Sequence, residues 1–102
     1  MKIIIKATNI DLTPALEEFI HQKISNLEKY LKDFDPDVVQ ARLEVGKPSK
    51  HHKSGLVYYA EINLSLPGKL LRAESKHIDL RYAINEAKNG LEKQIERYKN
   101  KK

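Results

Sequence analysis

The chain has 102 residues and a mass of 11.8 kDa, which sets the expectation of one domain around one core. Hydrophobic residues make up 40% and charged residues 32%, the composition of a globular fold and not of a disordered chain. Cysteine is absent, which excludes disulfides, zinc–thiolate sites and thiol chemistry, while a net charge of +5 points to an acidic partner.

The elements can be read in order. Met1–Ala7, with its β-branched run Ile3-Ile4-Ile5, predicts a first strand. That run is too short for a signal-peptide core, and no stretch approaches the roughly 18 apolar residues of a membrane span. The default expectation is therefore a soluble cytoplasmic protein. Thr13-Pro14 reads as a helix start, with Thr as cap and Pro in the first helical position. Leu16, Phe19, Ile20, Ile24, Leu27 and Leu31 recur at helical spacing and predict a helix over 14–32, closed by the segment 33–37. Val39, Ala41, Leu43 and Val45 alternate with polar residues as a second strand. A third strand follows over 56–66, and Pro67-Gly68 predicts a hairpin into a fourth over 69–75. Asp79 can cap a second helix, with Ile78 before it placed to staple against Ala83. That helix is expected to end near Tyr98, and Gly90 is a weak point inside it. The order β-α-β-β-β-α predicts an α+β two-layer sandwich. Its four-stranded sheet carries both helices on one face, as double-stranded-RNA-binding folds do.

The charge excess is uneven. Segment 47–55 (KPSKHHKSG) carries +3 and segment 88–102 carries +4, whereas segment 14–46 carries −3. A basic loop and a basic C-terminal end both raise the potential toward a polyanion, although either can serve as a solvated surface. Enzyme signatures are missing. Gly46, Gly55, Gly68 and Gly90 never cluster into a phosphate-cradling loop, and Ser54-Gly55 does not form a nucleophile elbow. His51 and His52 lack a neighbouring carboxylate, which favours a polar loop over a metal site. Lys23 falls inside the apolar arc of the first helix. There its stem can snorkel along the core edge, or its ammonium can face an anionic partner. On the second helix, Lys93 and Arg97 lie one turn apart on one flank, with Arg81, Lys88 and Lys99 on the other. Cations at that spacing suit a phosphate backbone. An RNA-recognition motif would need stacking aromatics on the sheet and a closing strand, and a double-stranded-RNA-binding domain a basic start to its last helix. For the first, the polar sheet face offers Tyr59 amid Glu44, Glu61 and Asn63 and no strand is expected after the second helix; for the second, Lys76-His77-Ile78-Asp79 is mixed in charge.

Several spaced segments together resemble a known family. Asn9-Ile10-Asp11-Leu12-Thr13-Pro14-Ala15-Leu16 and Leu27-Glu28-Lys29-Tyr30 resemble the opening of the ribosome hibernation-promoting factors, also called ribosome-associated inhibitors (sigma-54 modulation proteins). Residues 60–68 (AEINLSLPG) resemble that family's third strand and turn; Asp79, Tyr82-Ala83-Ile84, Leu91-Glu92-Lys93-Gln94 and Tyr98-Lys99 resemble its final helix. The resemblance implies the same β-α-β-β-β-α fold and a non-enzymatic translation inhibitor without cofactor, metal or small-molecule substrate. It implies binding to the small ribosomal subunit and its rRNA, in the channel of messenger and transfer RNA, to promote ribosome hibernation under stress. Another hibernation factor could be a further partner, and the chain off the ribosome is expected to be a monomer.

The residues it points to for rRNA binding are Lys23, Lys29, Lys93, Arg97 and Lys99, to which Lys88 and Lys101 are added from the charge pattern. Lys47, Lys50, His51, His52 and Lys53 are candidate loop contacts. Lys88 and the loop lysines Lys47, Lys50 and Lys53 could compensate for Thr8, Asn26 and Gly90, which stand where the family commonly has a basic residue. Residues 1–102 are expected to form a single ribosome-binding domain with a basic tail from about residue 100, without the second, dimerising domain of long family members. Two other functions remain compatible with the residues, a generic double-stranded-RNA binder and a protein–protein regulator of transcription.

Overall fold

β-branched residues favour the pleated backbone, and the Ile3-Ile4-Ile5 run accordingly lies in β1 (Lys2–Thr8) of the computed structural model, which describes residues 1–48 and 57–100. The chain continues through α1 (Pro14–Ser25), a 3-10 segment (Asn26–Tyr30), a 3-10 turn (Pro36–Val38), β2 (Gln40–Gly46), β3 (Tyr58–Leu66), β4 (Lys69–His77) and α2 (Leu80–Asn100). The sheet order is β1-β2-β3-β4; β1 and β2 are parallel and the other pairs antiparallel. The α+β sandwich and its element order are as the sequence predicts.

Register explains the layering. Ile5 lies opposite Leu43, Leu43 opposite Ile62, and Ile62 opposite Ala73, so one apolar row crosses all four strands. Because strand side chains alternate, the neighbouring rows fall on the other face, and apart from Ile4 they are polar. The apolar face is covered by Leu16, Ile20 and Ile24 of α1 and by Ala83, Ile84, Ala87, Leu91 and Ile95 of α2. Both helices therefore share one side, and the second sheet face stays open.

Two glycines are set by backbone geometry. At Gly46 a Cβ would lie 2.0 Å from the Thr8 carbonyl oxygen, so only glycine permits the close approach of β1 and β2. Gly68 adopts φ +73°, which the two-residue turn Pro67-Gly68 requires and which glycine reaches without steric cost.

Some boundaries differ from the sequence expectation. The first helix does not run as α-helix to residue 32; it tightens to 3-10 from Asn26 and ends at Tyr30. Ser25 and Asn26 are weak helix formers, and the tightened turn still buries Leu27 and Leu31. β4 extends two residues further, to His77, because Tyr58 pairs with it. β2 and α2 are displaced or lengthened by one or two residues, to Gly46 and Asn100. The expected staple of Ile78 on Ala83 does not form, and Ile78 is 72% exposed. Instead the His77 ring stacks on Tyr82 with centroids 4.1 Å apart, and His77 Nδ1 accepts a hydrogen bond from Asp79 N–H at 3.0 Å. That contact sets the entry angle of α2, while Asp79 Oδ1 caps it by accepting from Arg81 N–H and Tyr82 N–H.

Candidate nucleic-acid interface

The cations of the helix layer fall into three settings. In the first, α1 and the start of α2 meet at Phe19. The ring is half-buried, with Lys23 Nζ 5.6 Å and Arg81 Cζ 4.9 Å from its centroid. Both are cation–π distances, and neither cation has an ion pair among the described residues. Lys23 thus lies along an apolar edge while its charge stays available. Arg81 joins it across the helix pair. The sequence placed Arg81 on a flank of the second helix, but the partner ring belongs to another element, and spacing within one helix carries no signal for that. Lys29, in the 3-10 segment, sits 5.2 Å from the Tyr30 ring centroid and is likewise outside any ion pair among the described residues.

In the second setting, lysines have internal partners. Lys88 Nζ meets Glu92 Oε1 at 2.9 Å, and both side chains are largely buried. Lys99 Nζ donates to the Tyr30 carbonyl at 3.1 Å and lies 3.8 Å from Asp33 Oδ2, which pins the end of α2 to the 3-10 segment. The sequence grouped these two lysines with the free cations; the structure gives both internal partners.

The third setting is the opposite flank of α2, beside the β4 edge. There the Gln94 side chain accepts from Arg72 N–H at 3.3 Å and donates to the Arg72 carbonyl at 2.5 Å, so it takes the place of a neighbouring strand. Glu86 on the same flank accepts from the Ser75 hydroxyl. Lys93 and Arg97 flank Gln94, are exposed, and have no ion pair among the described residues. Arg97 lines a shallow groove with Lys69, Leu71, Gln94 and Tyr98.

Of the predicted loop contacts, Lys47 is described. Its N–H donates to the Thr8 carbonyl, its carbonyl accepts from Asn9 Nδ2, and its ammonium is 5.8 Å from the Tyr58 ring centroid. The base of the loop is thereby fastened to the end of β1. Lys50, His51, His52, Lys53 and Lys101 lie outside the described residues.

The open sheet face is polar and differently organised. Glu44, Glu61 and Glu74 stand abreast on β2, β3 and β4. Tyr59 OH and Thr8 Oγ1 both donate to Glu44 Oε2, at 2.5 and 3.1 Å, and Tyr59 and then Thr8 hold that carboxyl below its usual range. Burial, and then the same carboxylate, push the Tyr59 phenol up. Arg72 Nη2 bridges Glu61 and Glu74 at 2.7 and 3.3 Å; Arg72, with help from Asn63, holds the Glu61 carboxyl down. Each acid on this face thus has a partner within the sheet, and the unpaired cations named above belong to the helix layer. Among the described residues no group of three or more His, Asp or Glu is placed to hold a metal, and no helix is long and apolar enough to cross a membrane.

The model of the family described as sigma 54 modulation protein / S30EA ribosomal protein matches residues 3–102. The chain belongs to this family. Among its relatives, a protein of Bacillus subtilis named ribosome hibernation promotion factor is 35% identical over 97 residues, covering 95% of this chain and 48% of that protein. Proteins of the same name from Staphylococcus aureus and Deinococcus radiodurans are 30% and 28% identical, covering 93% and 89% of this chain. The chain spans about half the length of these relatives, 45–48% of each. In structure it is similar to the Protein Y N-terminal domain of Thermus thermophilus, with a TM-score of 0.79 and 29% identity over 96% of this chain and 99% of that one. A ribosomal subunit interface protein from Coxiella burnetii shares the fold, with a TM-score of 0.76 over 98% and 99% of the two chains.

Proposed function

We propose that this domain binds the small ribosomal subunit through ribosomal RNA, occupies the channel used by messenger and transfer RNA, and so holds ribosomes in a non-translating, hibernating state. Occupancy suffices; no bond is made or broken, and no cofactor takes part. The observation that carries this reading is the set of cations on the helix layer, Lys23, Lys29, Arg81, Lys93 and Arg97, which have no acidic partner among the described residues. Lining up unpaired cations costs self-repulsion, which a phosphate backbone relieves. Relatives over nearly the whole of this chain carry the name ribosome hibernation promotion factor, which supports the same direction.

Lys99 supports the interface indirectly, since its internal partners hold the end of α2 to the 3-10 segment, whereas Lys88 is paired with Glu92 within α2. The test is charge reversal of the β4-side pair, Lys93→Glu with Arg97→Glu. Co-sedimentation with small subunits is expected to be lost while the melting transition is retained. Binding unchanged by the double reversal would remove these residues from the interface.

A further inference from the structure

We infer that Phe19 is a positioning residue, whose ring holds Lys23 of α1 and Arg81 of α2 as a two-cation clamp for a single backbone phosphate. This rests on the RNA-binding reading above and assigns one phosphate contact to a named site. The ring centroid lies 5.6 Å from Lys23 Nζ and 4.9 Å from Arg81 Cζ, so the two charges cannot be further apart than those distances combined. Small rotations of the two flexible tips bring both onto one phosphate group. The ring itself is well anchored: Phe19 is half-buried and packs against the core beside Leu16 and Ile20. Arg81 is fixed at its backbone, where its N–H donates to Asp79 Oδ1 at 3.0 Å.

The surrounding charge selects the occupant. Asp79 stands two residues before Arg81, and Asp11 and Asp79 line a groove beside it. Among the described residues neither carboxylate forms an ion pair with the guanidinium, which reaches across to Phe19 on the other helix instead. Neither cation has an acid three or four residues away on its own helix; Asn26 and Asn85, at those spacings, are neutral amides. Two like charges gathered at one ring repel each other. The negative face of the ring offsets part of that cost, and a bound phosphate offsets the rest. Lysine supplies a point charge and arginine a planar fork of donors, a pairing suited to phosphate oxygens. Contact with the ring also restricts two long side chains before binding, so less rotamer freedom is lost when the phosphate arrives. A clamp on the backbone reads no base, and its contribution is expected to be independent of sequence.

The test measures affinity for purified small ribosomal subunits across variants whose melting transitions are followed in parallel. Phe19→Leu keeps apolar volume without a π-face and is expected to bind about five-fold more weakly or worse, the effect of ordering two long side chains afresh. Phe19→Tyr keeps the π-face and is expected to bind as the native chain does. Lys23→Ala and Arg81→Ala are each expected to weaken binding, and together by less than the product of their separate effects, because they share one phosphate. In the Phe19→Leu background that coupling is expected to vanish. Should Phe19→Leu melt early, the Lys23–Arg81 cycle in the native background still decides, since neither cation belongs to the buried core. Native affinity in a folded Phe19→Leu, a Phe19→Tyr variant as weak as Phe19→Leu, or strictly multiplicative effects of Lys23→Ala and Arg81→Ala would overturn the clamp. Each of these would leave phosphate binding by Lys93 and Arg97 intact. Coupling that survives ribonuclease treatment of the subunits would mark an acidic protein as the partner and overturn the clamp as well. Binding of the native chain that is insensitive to salt would instead overturn the RNA-binding reading.

Discussion

At the level of single side chains, two features have measurable consequences. Glu44 and Glu61 are held below the usual carboxylate range, Glu44 by Tyr59 and Thr8 and Glu61 by Arg72 and Asn63. A carboxyl whose folded pKa is depressed contributes stability above its unfolded value, near pH 4.3 for glutamate, and that contribution disappears as pH falls through the folded value. Urea unfolding followed from pH 7 down to pH 3 should therefore show a fall in stability at the acid end. In Glu44→Gln the fall should be shallower, so that the native chain and the variant converge as pH drops. A difference that stays constant with pH would mean Glu44 is not depressed. Gly46 is the second feature. Gly46→Ala puts a methyl 2.0 Å from a backbone carbonyl that cannot move without parting β1 from β2. A loss of about 2 kcal/mol or more in denaturant stability is expected, at the upper end of what overpacking costs.

Secondary-structure elements were legible where a period ran without interruption. The alternation of Ala41, Leu43 and Val45, and the stripe Ala83, Ile84, Ala87, Leu91 and Ile95, each mark one buried face, and these residues are buried. Thr13 was legible for the same local reason: its Oγ1 accepts from Leu16 N–H at 3.2 Å. Thr13→Ala should cost about 1 kcal/mol by thermal or chemical denaturation, the usual loss for a capping side chain. What stayed hidden depended on contacts between elements. Ile78 reads as a staple, yet His77 reaches Tyr82 first, and only the end of β4 lying over the start of α2 makes that possible. Gln94 reads as a polar helix residue, and its role at the Arg72 backbone appears only once β4 is known to be an edge strand. Lys88 illustrates a signal that was present: Glu92 lies four residues on, at ion-pair spacing, and the pair forms.

For the whole molecule, two chemically different surfaces lie back to back. On the open sheet face, Tyr59, Thr8 and Arg72 satisfy the row of glutamates. On the helix side, Phe19 gathers Lys23 and Arg81 from two helices, and Lys93 and Arg97 stand beside the β4 edge. Neutralising several phosphates by such cations makes affinity fall steeply with salt, by orders of magnitude over a four-fold rise in concentration when six or more contacts form. Ribosome binding measured between 50 and 200 mM salt should show that slope, and charge reversal of Lys93 and Arg97 should flatten it.

The most direct test of channel occupancy is sedimentation of the chain with purified small ribosomal subunits, with and without messenger RNA and transfer RNA added in excess. The chain should pellet with empty subunits and be displaced as the RNAs fill the channel. Co-pelleting undiminished by saturating messenger and transfer RNA would place the binding site elsewhere and contradict the proposed mode of inhibition.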